Sequence, residues 1–114
     1  MAGMLYLVPT PIGNLGDISP RAKATLESAD FIAAEDTRVT LKLLNHLELK
    51  KPLVSYYEHN KSFKGEKILD RILAGETCAL VSDAGSPAIS DPGEDLVKQC
   101  AQAGVTVCAI PGPC

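Results

Sequence analysis

Short, nearly continuous apolar runs alternate along this chain with stretches in which apolar residues recur every three or four positions. The runs are Met4–Val8, Phe31–Ala34, Leu53–Tyr56, Cys78–Val81 and Val105–Ile110. Runs of this length without polar alternation are the pattern of strands buried on both faces. The stretches between them carry helix signals. Ser19-Pro20 reads as an N-cap and first helical residue, with Ala22, Leu26 and Ala29 on one stripe. Thr37 is placed to cap a second helix with Val39, Leu43, Leu44 and Leu47 as its stripe. A third carries Ile68, Leu69, Ile72 and Leu73 and stops at Gly75. In Asp91-Pro92-Gly93-Glu94, Asp is a cap, Pro suits the first helical position and Glu sits where a capping box needs it. The helix that follows is expected to bury Leu96, Val97, Cys100 and Ala101 and to end at Gly104. Five strands separated by four helices predict an α/β fold, a five-stranded mainly parallel sheet with helices on both faces and right-handed crossovers. The order of the strands is not contained in this pattern.

With 114 residues, 46% of them hydrophobic, the chain fits one domain with a real core. Its apolar runs are too short to span a bilayer and Met1 opens no signal peptide, so a cytoplasmic protein without membrane contact is expected. Cys78, Cys100, Cys108 and Cys114 lack paired ligand spacing and are expected to be reduced, with no metal site. The net charge is −3, yet residues 37–71 hold eight of the eleven Lys and Arg against four acids, and the remainder is strongly acidic. A basic segment in an acidic chain suits contact with a polyanion, aided by a partner chain or another domain. The chain ends at Pro111-Gly112-Pro113-Cys114, directly after a buried strand with no closing helix. Residues 1–114 are therefore expected to be the N-terminal α/β half of a longer protein.

Three loops follow strand ends, where open α/β sheets bind ligands. The loop Pro9–Asp17 is long, stiffened by Pro9 and Pro11, and supplies only Gly13 and Gly16 toward a dinucleotide fingerprint. Glu35-Asp36-Thr37-Arg38 puts carboxylates beside a guanidinium, a set that can cap a helix or orient a hydroxyl or phosphate. The segment Ser82–Gly93 carries Asp83, Gly85 and Pro87, which stand too far before the helix to be explained by capping. Those three are the strongest ligand-binding candidates.

Val8-Pro9-Thr10-Pro11-Ile12-Gly13-Asn14-Leu15-Gly16-Asp17, Ala33-Ala34-Glu35-Asp36-Thr37-Arg38, Ser82-Asp83-Ala84-Gly85-Ser86-Pro87 and Ile110-Pro111-Gly112-Pro113 resemble the ribosomal small-subunit methyltransferase I family. That family is a branch of the tetrapyrrole (corrin/porphyrin) methylase superfamily. One position departs from its commonest pattern, Ser86 standing where Thr is frequent. The resemblance covers nearly the whole chain but only the N-terminal domain of the family. It implies 2'-O-methylation of a cytidine in 16S rRNA, in the free RNA or the small ribosomal subunit, with S-adenosylmethionine as donor and a homodimeric enzyme. It further implies that Asp83, Ala84, Gly85, Ser86 and Pro87 line the cofactor, that Pro111 and Gly112 pass close to it, and that the loop bearing Pro11 sits over the cleft.

Methyl transfer to a ribose hydroxyl asks the protein mainly for alignment and exclusion of water, with a base as a further aid. Glu35 and Asp36 are the candidate bases, Arg38 a candidate to hold phosphate, and His59 a reserve base. Lys42, Lys50, Lys51, Lys61 and Lys64 are candidates to line the RNA approach. Two alternatives share parts of this pattern. One is C-methylation of a tetrapyrrole, which uses the same fold and cofactor but wants a large apolar cleft. The other is a flavodoxin-like phosphoacceptor or interaction module; the phosphoacceptor wants a Lys after the last strand, where this chain has Pro111-Gly112.

Overall fold

The computed structural model describes residues 3–9, 18–34, 37–56, 61–82 and 93–110. Nine elements follow in strict alternation: β1 Met4–Pro9, α1 Pro20–Ser28, β2 Phe31–Ala34, α2 Thr37–His46, β3 Leu53–Ser55, α3 Lys61–Leu73, β4 Cys78–Ser82, α4 Gly93–Gln102 and β5 Thr106–Ala109. The sheet is wholly parallel, in the order β3-β2-β4-β1-β5.

Side-chain alternation sorts each strand between two core layers. Leu5, Phe31, Ala33, Cys78 and Leu80 face one layer, closed by Ile68 and Ile72 of α3 and Leu96 and Cys100 of α4. Val8, Ile32, Ala34, Ala79 and Val81 face the other, closed by Ala22 and Leu26 of α1 and Leu43 and Leu44 of α2. The first two crossovers thus pass over one face in one direction and the last two return over the opposite face, as right-handed βαβ units require.

The helix ends follow local chemistry. Ser19 Oγ accepts a hydrogen bond from the Ala22 amide at 3.1 Å, the expected cap of α1. Three helices end alike, each with a left-handed residue and an amide bonded back to a carbonyl five residues earlier. Gly75 (φ 110°) and Gly104 (φ 82°) fill that position after α3 and α4, as the sequence predicts. After α2 it is filled by Glu48 (φ 59°), with the Leu49 amide on the Leu44 carbonyl at 2.9 Å. The expected start of α4 at Asp91-Pro92, with the Glu94 side chain, lies outside the described residues.

Five expectations are corrected. Val39 and Leu73 are 43% and 44% exposed, and Ala101 is exposed. Each adjoins a residue that lies nearer its helix's buried centre: Thr40, Ile72 and Cys100. Neighbours on a helix point about 100° apart, so only one of two can occupy the centre of the stripe. Thr37 opens α2 instead of capping it. Among the cysteines, Cys78 and Cys100 are free and buried, whereas Cys108 is disulfide-bonded. An apolar strand position predicts burial of a cysteine but carries no information on its oxidation.

Candidate active site

Parallel register brings the carboxyl ends of the strands to one rim. Val8 pairs with Val81 and Pro9 with Ser82, Ala34 pairs with Val81, Ser55 with Ala34, and Leu7 with Ala109. The ladder extends past the strand ends, where the Tyr56 amide donates to the Ala34 carbonyl at 2.8 Å and the Ile110 amide to the Leu7 carbonyl at 2.9 Å. The strand order therefore sets the departure points of the candidate segments side by side. Residues 35–36 leave from β2, 83–92 from β4, 10–17 from β1 and 111–114 from β5, four adjacent strands.

The direction of departure matters as much as the order. The chain leaves β2 and β1 toward α2 and α1 on one face, but leaves β4, which lies between them, toward α4 on the other. Adjacent strands whose connections turn to opposite faces open a crevice at the carboxyl rim. Here β4 has such a neighbour on both sides, so its carboxyl end, at Ser82, lies between two such switch points. The floor is apolar: Val8, Ala34, Val81 and Ile110 are all buried beneath the rim.

Most of the residues singled out from the sequence are not themselves described. Glu35, Asp36, His59, Pro11, Asp83, Ala84, Gly85, Ser86, Pro87, Pro111 and Gly112 lie outside the described residues, as do the side chains of Lys61 and Lys64. Arg38 is described, exposed in the first turn of α2 at the rim. Lys42 is exposed one turn further along, and Lys50 and Lys51 follow at the opposite end of the helix. Among the described residues no group of His, Cys, Asp and Glu is placed to hold a metal ion, and no buried side-chain polar atom lacks a partner.

The groups with shifted acidity lie elsewhere. At the amino-terminal rim Arg71 grips Glu76 with two hydrogen bonds of 2.9 Å and lies 3.7 Å over the Phe31 ring. The hydrogen-bonded pair holds Glu76 below the usual carboxylate range and raises Arg71. Asp30 Oδ2 accepts from the Thr77 amide at 2.7 Å beside them, tying the start of β2 to the start of β4. Burial pushes the Cys78 thiol up strongly and Cys100 up to about 11. Perturbed acidity often marks a functional site, but this cluster is a structural clasp, with its polar groups mutually satisfied and at the far end from the crevices. Arg71 and Glu76 meet locally across the turn that ends α3, but Phe31 joins them only through the pairing of β2 with β4, which no motif announces.

Comparison with known proteins agrees with the geometry. Residues 4–114 match the family of Tetrapyrrole (Corrin/Porphyrin) Methylases. The chain is 58% identical over 110 residues to the Ribosomal RNA small subunit methyltransferase I of Halalkalibacterium halodurans, covering 96% of this chain and 38% of the relative. It is 54% identical over 110 residues to the protein of the same name from Synechocystis sp., covering 96% and 39%. Its fold is similar to part of the uroporphyrin-III-C-methyltransferase of Thermus thermophilus, with a TM-score of 0.74 at 21% identity over 98% of this chain and 48% of that one. The chain thus spans well under half the length of the curated relatives it matches. The matched region takes in every described strand and helix, and on that ground the chain belongs to the tetrapyrrole (corrin/porphyrin) methylase family.

Proposed function

We propose that this chain is the N-terminal α/β half of a two-domain, S-adenosylmethionine-dependent enzyme that methylates the ribose 2'-hydroxyl of a cytidine in 16S rRNA. The observation that carries this reading is the 54–58% identity, over 110 residues that include the whole rim, to proteins named Ribosomal RNA small subunit methyltransferase I. The donor suits the apolar end of the sheet on the α4 side, where Leu7 and Leu80 face the core, and its lack of a pyrophosphate removes any need for G-x-G-x-x-G. Asp83, Ala84, Gly85, Ser86 and Pro87, with Pro11, Pro111 and Gly112, would hold it. When bound, it supplies a methyl group already activated on a sulfonium.

The remaining work falls to the chain's own residues. Glu35 or Asp36 accepts the proton of the 2'-hydroxyl as that oxygen is alkylated, and Arg38 holds a neighbouring phosphate so that the sugar stays in line. Alignment of this kind contributes up to roughly 7–11 kcal/mol, against about 10²–10⁴-fold for the base. A cytoplasmic homodimer acting on rRNA or the small ribosomal subunit completes the proposal. No helix among the described residues is long and apolar enough to cross a membrane.

The test is a chimera in which this chain replaces the corresponding segment of the Halalkalibacterium halodurans relative, assayed with methyl-labelled donor and unmethylated 16S rRNA. The expected product is a single 2'-O-methylcytidine, lost or much reduced in Glu35→Gln or Asp36→Asn. Label appearing on a tetrapyrrole instead, or on no RNA while the relative itself remains active, overturns the reading.

A further inference from the structure

α2 is the one described helix with no acidic residue in its sequence, Thr-Arg-Val-Thr-Leu-Lys-Leu-Leu-Asn-His. Its buried stripe is Thr40, Leu43 and Leu44. Arg38, Lys42 and His46 follow one another at four-residue spacing on the opposite face, all exposed, and together span about 12 Å at 1.5 Å per residue. Lys50 and Lys51 continue the series before β3. Glu48 is the only acid between residues 37 and 56.

Two cations elsewhere on the molecule are paired. Lys23 lies 3.9 Å from Glu27 on α1, and Arg71 is clasped by Glu76. Among the described residues no carboxylate pairs with Lys42, His46, Lys50 or Lys51. Lys42, Lys50 and Lys51 thus carry like charge with no counter-charge beside them among the described residues, so a polyanion outside the chain is their natural complement.

The row has a direction. α2 begins at the carboxyl rim, directly after the segment bearing Glu35 and Asp36, and delivers the chain to the amino end of β3. We propose that Lys42, His46, Lys50 and Lys51 form a phosphate-binding track that receives single-stranded RNA leaving the transfer site at Arg38 and leads it along the outer face of α2. The proposal rests on the RNA-methylating reading above and names where the substrate lies. A protein interface explains this face poorly. Its exposed large apolar side chains are only Val39 and Leu41, whereas stable interfaces bury about 1,200–2,000 Å² around an apolar centre.

The track makes a quantitative demand. Each phosphate neutralised on a single strand contributes a slope of about −0.7 to the dependence of log K on log salt. Three lysines therefore account for a slope of about −2, equivalent to about 100-fold in affinity at 0.1 M salt. In the active chimera, Lys42→Gln/Lys50→Gln/Lys51→Gln should raise KM for RNA about 100-fold at that salt, flatten the salt slope by about 2 and leave kcat at saturating RNA unchanged. Lys23→Gln on α1 is the control and should do none of these. Photo-crosslinking of thiouridine-bearing RNA to the unmutated protein should place adducts within residues 42–51, a readout independent of any variant's folding. An active chimera whose triple variant keeps its KM and salt slope overturns the track while leaving the methylation reading intact. So does a triple variant that changes only the oligomeric state. A chimera that binds donor but never methylates RNA fails the underlying reading instead.

Discussion

Replacing Leu26 by Ala tests whether the α1–α2 layer is packed as the structure has it. Leu26 is fully buried, in a cluster with Val8, Ile32, Leu43 and Leu44 under α1. Truncation removes about three methylene equivalents, or roughly 2.4 kcal/mol of transfer free energy. The cavity left among neighbours held by the sheet adds to that, giving an expected total of about 3–4 kcal/mol. A chain of 114 residues is stable by roughly 6–17 kcal/mol at about 0.05–0.15 kcal/mol per residue, so the variant should still fold. With a urea dependence of about 1.5–2 kcal/mol per molar, the unfolding midpoint should fall by about 2 M. Leu73→Ala, at a 44% exposed site on α3, provides the matched control and should cost less than about 1 kcal/mol. Urea titration followed by far-ultraviolet circular dichroism measures both. Equal losses at the two positions, or a Leu26→Ala cost below about 1 kcal/mol, would refute the assigned layer.

Other outcomes follow from single features. A Cβ at Gly3 would run into the Glu76 carbonyl, while the Gly3 amide donates to Ile72 at 2.7 Å; Gly3→Ala should therefore lower Tm measurably, and an unchanged Tm would contradict that close approach. Glu48 holds a left-handed conformation with its side chain exposed, so Glu48→Gly should raise stability by up to about 1 kcal/mol in the same titration, and a loss would count against the motif. Glu76 titrates below its ordinary value because Arg71 bonds to its charged form. Its contribution is thus complete above the unfolded carboxylate pKa and lost as pH falls through the lowered folded one. The Tm gap between the protein and Glu76→Gln should be constant near neutrality and close in acid; a gap that widens in acid would reverse the sign. At about pH 8 only about one Cys100 thiol in a thousand is ionised, its pKa lying about 11, and Cys78 is pushed higher still. Neither should react with a disulfide reagent until denaturant is added.

The fold was legible because its signals are local. Continuous burial of Phe31–Ala34 and Cys78–Val81, the Ser19 cap and the left-handed Gly75 and Gly104 are each decided by residues close in sequence. The order β3-β2-β4-β1-β5 was not, because parallel strands pair through contacts made far apart along the chain, and continuous apolar runs do not distinguish a central strand from its neighbour. The same limit hid the placement of Phe31 under Arg71. Val39 misled for a different reason: Val39 and Thr40 both stand at helical spacing from Leu43, and hydropathy favours the valine. The structure instead buries Thr40, at 3% exposure. The candidate segments could be picked out directly, as strand ends followed by Asp, Gly and Pro, but they lie outside the described residues. That the strands before them are neighbours required the strand order.

That order also constrains how two substrates would share one rim. The connections from β1 and β2 turn toward the α1–α2 face, and the connection from β4, between them, turns toward α4. On the proposed reading, the β4 exit carries the donor-binding residues and the β2 exit carries the acceptor's base, so donor and acceptor enter from opposite faces of one sheet. An in-line displacement wants that arrangement, because nucleophile and leaving group must lie on opposite sides of the transferred carbon. On the same reading RNA approaches from the α2 side, where Lys42 has no carboxylate beside it among the described residues. A liganded structure with the donor's sulfur on the α1–α2 side of β4 would reverse both assignments at once.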